Sequence, residues 1–411
     1  MHVGFITQWY DPEPGPAALP GVLARGLVER GHRVTVLTGF PNYPTGRIAE
    51  GYRQRALFRE ELDEVEVVRT PLYASHDASA ARRILNYGSF AASATLLGAQ
   101  ALRGVDALYI NYSPITTAFP MWVAQGLSGA RAVLEVADLW PDTMLAAGLG
   151  GGAALHSAAG ALLEAWCSAM YRSADSVVYI SPGVGAVLEG RGVPREKLAY
   201  VPKWAPHVTP PGSGRSMREE LGIEPSEVVL VYAGTLGEAQ GLDTLIEAMD
   251  RVADLPVTLL VAGSGTAEQT LRAAAAHLPS VRFLGRLAPA RMPDLMATAD
   301  LSYISLSDDG LAPITMPSKT QASMAAGVAL LASAPGDLAK LVSEEQLGFT
   351  ARPGDAGAVA DALREACRRG RPALADLGKH ARAVYDRDFS VDVALDQYEE
   401  LLTRAAERKR R

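Results

Sequence analysis

The chain has 411 residues, enough for two domains, and its 48 % hydrophobic and 21 % charged residues are those of an ordinary globular protein. A net charge of −7 and a pI near 5.6 argue against a nucleic-acid-binding protein, which needs a basic face. Cys167 and Cys367 stand far apart with no His or Cys at metal spacing, so they read as buried thiols of a reducing compartment rather than a disulfide scaffold.

The first residues, MHVGFITQWYDPEPG, carry no basic leader ahead of an apolar run; VGFIT reads as a first strand, and a cytoplasmic location is expected. Further apolar, β-branched runs follow at Arg33 to Thr38, Val65 to Thr70, Val105 to Asn111, Ala132 to Val136 and Ser176 to Ser181, mostly separated by helical patterns. Near-continuous hydrophobic strands of this kind belong to parallel sheets covered on both faces. Polar and aromatic groups collect at their carboxyl ends, where a sugar can stack and hydrogen-bond: Asn42 and Tyr43 after the second, Asn111 and Ser113 after the fourth, Asp138 and Trp140 after the fifth. Gly15 follows the first strand and Pro16 to Pro20 open a helix whose amides face the same end. Asp138 is either a working carboxylate or a helix cap, Asp142 reads as a cap, and His32 lies at the opposite, amino end of its strand as a structural residue.

Ile84 to Leu102 is a run of nineteen uncharged residues after Arg82 and Arg83. Asn86, Ser89, Ser93, Thr95 and Gln100 interrupt it, so the run reads as a buried helix rather than a membrane span. A second reading is one-sided contact with a membrane surface through Arg82, Arg83, Ile84, Leu85, Tyr87 and Phe90. Lys203 to Ser216, rich in Pro, Gly and Ser, is a linker containing His207, which is a weak candidate for the site. The basic end, Arg404 to Arg411, reads as a solvated tail.

Beyond the linker the scheme repeats with strands at Val228 to Gly234, Val257 to Gly263, Val281 to Gly285, Leu301 to Ser305 and Val328 to Ser333. The fold class is therefore α/β, with two doubly wound Rossmann-like domains: residues 1–203, a linker over 204–216, and 217–388. Ligands of open parallel sheets bind beyond the carboxyl strand ends, so a substrate enclosed between two such domains is expected. Gly234, Gly237 and Gly241 after one strand, and Gly263 and Gly265 after the next, let backbone amides approach a phosphate. Pro317, Ser318 and Lys319 open a short helix leading through Gly327 into a strand, where a lysine and free helix amides point the same way. No Walker lysine, no G-x-G-x-x-G, no D-x-D and no metal-ligand cluster appears, so no cofactor or metal is expected.

As a set, LARGLVERGHRVTVLTGFPNYPTG, VLEVADLWPDT, YISPGVGAVLEGRGVPREKLAYVPKW, YAGTLGEAQGLDTLIEAM, VAGSG, MPSKTQASMAAGVALLAS and the final DFSVDVALDQYEELL resemble glycosyltransferase family 4, whose retaining enzymes have the two-domain GT-B architecture. The resemblance runs the whole length and is nearest to the bacterial branch that adds amino sugars in polysaccharide assembly. It implies that the amino domain binds the acceptor, the carboxyl domain binds a UDP-sugar, and a last helix over 389–411 crosses back to the amino domain. By position, Gly234, Thr235, Gly237 and Gln240 meet the diphosphate, Gly263 and Gly265 the nucleoside, Arg286 and Leu287 the base, and Ser318 and Lys319 the diphosphate and ribose. Asn42, Tyr43, Asn111, Ser113, Asp138 and Trp140 face the acceptor, with Asp138, Lys319 and Gly15 as catalytic candidates. The chain departs from the family pattern at Thr235 and Gln240, where many members have Arg and Lys, at Ile314 and Ala322, where they have Glu, and at Ala137, where they have His. The implied partners are a nucleotide-sugar donor and an acceptor that is a glycan, a lipid-linked sugar or a small molecule, with the polar breaks in Ile84 to Leu102 favouring a soluble one. Alternatives are a non-catalytic nucleotide-sugar binder and a non-hydrolysing epimerase; the latter needs paired carboxylates at strand ends, which are scarce here.

Overall fold

A computed structural model describes residues 1–75, 79–143, 153–205, 214–308 and 310–410. His207 and most of the expected linker lie outside these residues. The chain forms two compact units, one of Met1–Pro202 together with Ala394–Arg411, the other of Lys203–Val393.

The first unit contains strands β1 (His2–Ile6), β2 (Arg33–Gly39), β3 (Phe58–Leu62), β4 (Val65–Thr70), β5 (Ala107–Asn111), β6 (Arg131–Val136), β7 (Ser176–Tyr179) and β8 (Leu198–Tyr200). They form one sheet in the order β3-β4-β2-β1-β5-β6-β7-β8, parallel throughout except for the edge pair β3–β4. Around it lie α1 (Leu19–Glu29), α2 (Ala80–Ser93), α3 (Ala118–Ser128), α4 (Ala153–Ser173) and α5 (Pro182–Gly190). Central strands are buried almost residue for residue, which explains their unbroken apolar sequences. The antiparallel hairpin departs from the all-parallel expectation. FREEL sets three charged residues between two apolar ones and alternates half-buried with exposed side chains, as an edge strand does, and its turn places Asp63 and Glu64 at φ 51° and 62°.

The run from Ile84 also departs from expectation, because it is not a buried helix. α2 ends at Ser93, a π-helical turn spans Ala94–Gly98, and a 3₁₀ turn follows over Ala99–Leu102. The wider turn rotates the helix face. Gly98 is pressed against Leu37 and Thr70, while Leu96 and Leu97 face solvent, as do Ile84 and Leu85.

The second unit has β9 (Val228–Ala233), β10 (Val257–Ala262), β11 (Val281–Gly285), β12 (Leu301–Ser305), β13 (Ala329–Ser333) and β14 (Gly348–Ala351), all parallel, in the order β11-β10-β9-β12-β13-β14. Its helices are α6 (Leu242–Asp250), α7 (Glu268–Ala274), α8 (Met292–Thr298), α9 (Ser318–Ala325), α10 (Gly336–Glu344) and α11 (Ala356–Val384), which kinks at Gly370. One core packs the β9, β10 and β12 side chains against α6 and α11; a second gathers Ile304, Met324, Leu330 and Leu338. Of the two thiols, Cys167 is buried and Cys367 half-buried.

The last helix, α12 (Val391–Arg410), belongs to the first unit from Ala394 onward. The Tyr398 hydroxyl donates to the buried Glu135 carboxylate on β6, which also accepts from Tyr109 at 2.9 Å. Burial beside that carboxylate holds both phenols well above their ordinary pKa. Leu395 packs so closely on Gly26 that a Cβ there would lie 2.5 Å from it. At the amino ends of the strands, His32 Nε2 meets Glu399 at 2.8 Å and Arg30 reaches the same carboxylate at 2.9 Å. This gives His32 its structural place.

Candidate functional site

Each sheet has one point where chain order reverses, and ligands of such sheets bind there, beyond the carboxyl strand ends. In the second unit β9 lies between β10 and β12, so the switch point opens onto the loop beginning at Gly234. Gly234 (φ 153°) and Gly263 (φ 148°) let the loops after β9 and β10 lie backbone to backbone. A Cβ on Gly263 would stand 1.8 Å from the Gly234 carbonyl oxygen, and one on Gly265 2.2 Å from that of Leu236.

That close fit uses most of the amides expected to be free. Gly234 N–H donates to Ala262 at 2.9 Å, Leu236 N–H to Ser264 at 3.0 Å, and Gly237 N–H to the Gln240 side-chain oxygen at 3.1 Å. The Thr235 N–H makes no such bond among the described residues. Gln240 thus fastens the loop through its side-chain oxygen, where a direct diphosphate contact was expected.

Lys319 is the second residue of α9 and is half-buried beside this loop. Its Nζ donates to the Tyr232 hydroxyl at 3.1 Å and lies 4.3 Å from the centre of that ring; Tyr232 in turn donates to the Thr235 carbonyl at 2.6 Å. A Cβ on Gly234 would be 3.3 Å from Nζ, so the ammonium hangs directly over the glycine. No carboxylate balances it among the described residues, and burial lowers its pKa to about 8. Ser318 is exposed at the first turn of α9, Arg286 is exposed after β11, and Leu287 packs into the core behind it. Ala322 is partly buried against the α9–β13 core, where a glutamate would need a partner.

In the first unit β1 lies between β2 and β5. Asp138, exposed after β6, accepts from Ser113 Oγ at 2.6 Å, and Asn111 Oδ1 accepts from Ser113 N–H at 3.2 Å. Three of the predicted residues therefore meet. Trp140 is buried with its indole N–H unpartnered, and its ring meets Tyr87 of α2 at 6.5 Å; Tyr87 meets Trp9 at 6.2 Å. Gln8 Oε1 and the Tyr10 hydroxyl are likewise buried without partners, an arrangement that fits a polar ligand's hydroxyls. Gly15 (φ 68°) opens a short 3₁₀ turn with open space around its α-carbon.

Asn42 behaves differently from its expected role. It is buried, with its side-chain amide donating to the Phe40 carbonyl at 3.0 Å, so it shapes its loop. Asp142 pairs with Arg191, which also donates to the Trp140 carbonyl at 2.8 Å. Glu13 escaped the sequence reading. Its buried carboxylate accepts from the N–H groups of Tyr10, Asn42 and Tyr43 at 3.0, 2.7 and 2.8 Å, tying the loops after β1 and β2 together. Desolvation raises its pKa against those three donors. The only local signal was an acidic residue between two prolines.

Among the described residues, no three His, Cys, Asp or Glu side chains converge as metal ligands, and no helix is long and apolar enough to cross a membrane. Residues 15–204 match the model of a glycosyl transferase 4-like domain, and residues 227–369 that of glycosyl transferases group 1. WcaI of Escherichia coli K12, provisionally described as a colanic acid biosynthesis glycosyl transferase, is 30 % identical over 331 residues, covering 77 % of this chain and 79 % of its own. WbjE of Pseudomonas aeruginosa, described with similar reserve as a glycosyltransferase, is 25 % identical over 66 % of this chain and 67 % of its own. The crystal structure of Anabaena HepE with UDP-glucose superposes with a TM-score of 0.62 at 18 % identity, covering 98 % of this chain and 99 % of HepE.

Proposed function

Because the chain belongs to glycosyltransferase family 4 and is a glycosyltransferase of GT-B fold, we propose that it transfers a sugar, an N-acetylated hexose, from a UDP-sugar to an acceptor hydroxyl with retention of anomeric configuration. One observation carries the reading of the donor: the Lys319 ammonium stands over the Gly234 loop, at a sheet switch point, with no carboxylate against it. An unbalanced, half-buried cation beside an open N–H at Thr235 suits a diphosphate. UDP-glucose bound to a neighbour of the same fold, HepE, supports the choice of nucleotide.

In this reading negative charge grows on the diphosphate as the bond to the sugar breaks. Lys319 and the Thr235 N–H stabilise that charge in place, because Tyr232 and Gln240 have already fixed their positions. With Lys319 supplying the cation, no metal is required. The acceptor binds in the first unit, where Trp140, Tyr87 and Trp9 offer ring faces and Asp138 with Ser113 orients a hydroxyl. The leaving diphosphate takes the acceptor proton from the same side.

The test is to incubate the protein with a panel of nucleotide sugars, with and without acceptors and with chelator present, and to follow nucleotide release and product anomer. Acceptor-dependent release of UDP with retained configuration is the expected result. Isomerisation without release would instead identify an epimerase, and tight binding without turnover a binding protein.

A further inference from the structure

The described residues expose ten large apolar side chains, and seven of them lie on four neighbouring elements of the first unit: Ile84 and Leu85 on α2, Leu96 and Leu97 on the π turn after it, Phe119 and Val123 on α3, and Leu162 on α4. Exposure is extensive, at 79 % for Leu96, 72 % for Leu162 and 66 % for Ile84. The helices adjoin. α2 and its π turn pack on α3, and Phe119 and Trp122 of α3 meet Trp166 of α4 at 4.8 and 5.0 Å. Single exposed leucines are ordinary on a protein surface, whereas a cluster of this kind marks a contact face.

Charge identifies the partner. In a chain of net charge −7, the elements of this face carry Arg83, Arg103, Arg131 and Arg172, besides Arg82, which already has a partner, against two acids, Glu164 and Asp106, the latter engaged by the His2 N–H at 2.8 Å. We infer that this face docks the first unit on an anionic lipid surface, with the leucines, Ile84 and Phe119 entering the interfacial layer and the arginines meeting lipid phosphates. A second copy of the chain is a poorer occupant, since its own basic rim would face this one. The opposite side of α2 carries Asn86 and Tyr87, which contact Gln8, Trp9 and Trp140. Docking therefore holds the proposed acceptor end beside the lipid surface. If the glycosyltransferase reading above is right, the acceptor is lipid-borne, contrary to the soluble acceptor favoured by sequence. Of the six residues read as surface contacts, Phe90 is excluded because it is fully buried in the core, and Tyr87 because its ring turns to Trp9 and Trp140.

Flotation of the full-length protein with vesicles of phosphatidylcholine alone, and with about a third phosphatidylglycerol, tests this. The wild type is expected to float with anionic vesicles and to be released by salt. Leu85→Glu/Leu96→Glu should lower the bound fraction at least tenfold, and Arg83→Glu about fivefold. An unchanged circular-dichroism spectrum and melting transition of the first unit shows that the variants are folded, and because vesicle binding needs no donor, its outcome is separate from that of the transfer assay. Wild type that fails to float, or variants that float equally, overturns the proposal. So does a dimer in light scattering that the Leu→Glu pair dissociates, which would give the face to a second copy.

Discussion

The two units share a strand-and-helix scheme but finish their strand ends with different chemistry. The first does so with side chains: Glu13 collects three amides, Asp138 meets Ser113, and Trp9, Tyr87 and Trp140 line up edge to face. The second does so with backbone, pressing Gly234 and Gly263 together under a single lysine. Surfaces differ in the same sense. All ten exposed large apolar side chains of the described residues belong to the first unit. A diphosphate is the same on every nucleotide sugar and is met well by fixed amides and one cation, whereas an acceptor varies and is met by side chains that can vary with it.

Substitutions at the strand ends can break this contrast. The largest effect is expected from Gly263→Ala, whose Cβ has no room against the Gly234 carbonyl; the second unit should lose about 3 kcal/mol by denaturant titration, and UDP binding should go with it. Gly15→Ala in the first unit meets nothing and should cost only about 1 kcal/mol, for its φ of 68°. Next, Lys319→Met should weaken UDP about 100-fold in calorimetry, the worth of one charge-assisted contact. The same change should raise the melting temperature, because it removes a cation that burial disfavours. Unchanged donor affinity would remove Lys319 from the site. Glu13→Gln leaves one oxygen for three donors and should cost about 2 kcal/mol in the first unit while sparing UDP affinity.

The smallest effect is a pH dependence. Lys319 has its pKa lowered to about 8, so it is charged below that value and loses its proton above it. A bound diphosphate favours the charged form. UDP affinity should therefore be flat below pH 8 and fall by up to about tenfold per unit above it, with proton uptake detectable as a buffer-dependent binding enthalpy. The Lys319→Met variant should show neither.

Much of this molecule is legible in its sequence where one physical signal dominates. Unbroken runs such as VVLVYA and VTLLVA leave no reading except a strand buried on both faces, and each places the glycines that follow it at a carboxyl end. The PSK segment forms a helix start with its lysine at the second position. Signals failed where the environment of a residue depends on distant chain. FREEL, LAY and GFTA are too short or too polar to declare themselves, and they become strands only beside longer ones. Between Ile84 and Leu102 the core covers one face and leaves Ile84, Leu85, Leu96 and Leu97 on another, which a uniformly apolar run does not announce. Gln240 and Asn42 looked available, and each is occupied by its own loop.

The bond from Tyr398 to Glu135 spans 263 residues of sequence, and it has a consequence for the order of assembly. On the ribosome, residues 203–393 emerge as one continuous stretch and can complete their unit as soon as they are out. The amino-terminal sheet emerges earlier but must wait, with Glu135 lacking its Tyr398 donor and Gly26 uncovered, until Ala394 to Arg410 has been made. The half of the enzyme translated first is thus the half finished last, and removing the final helix should leave it prone to aggregation while the later half still folds.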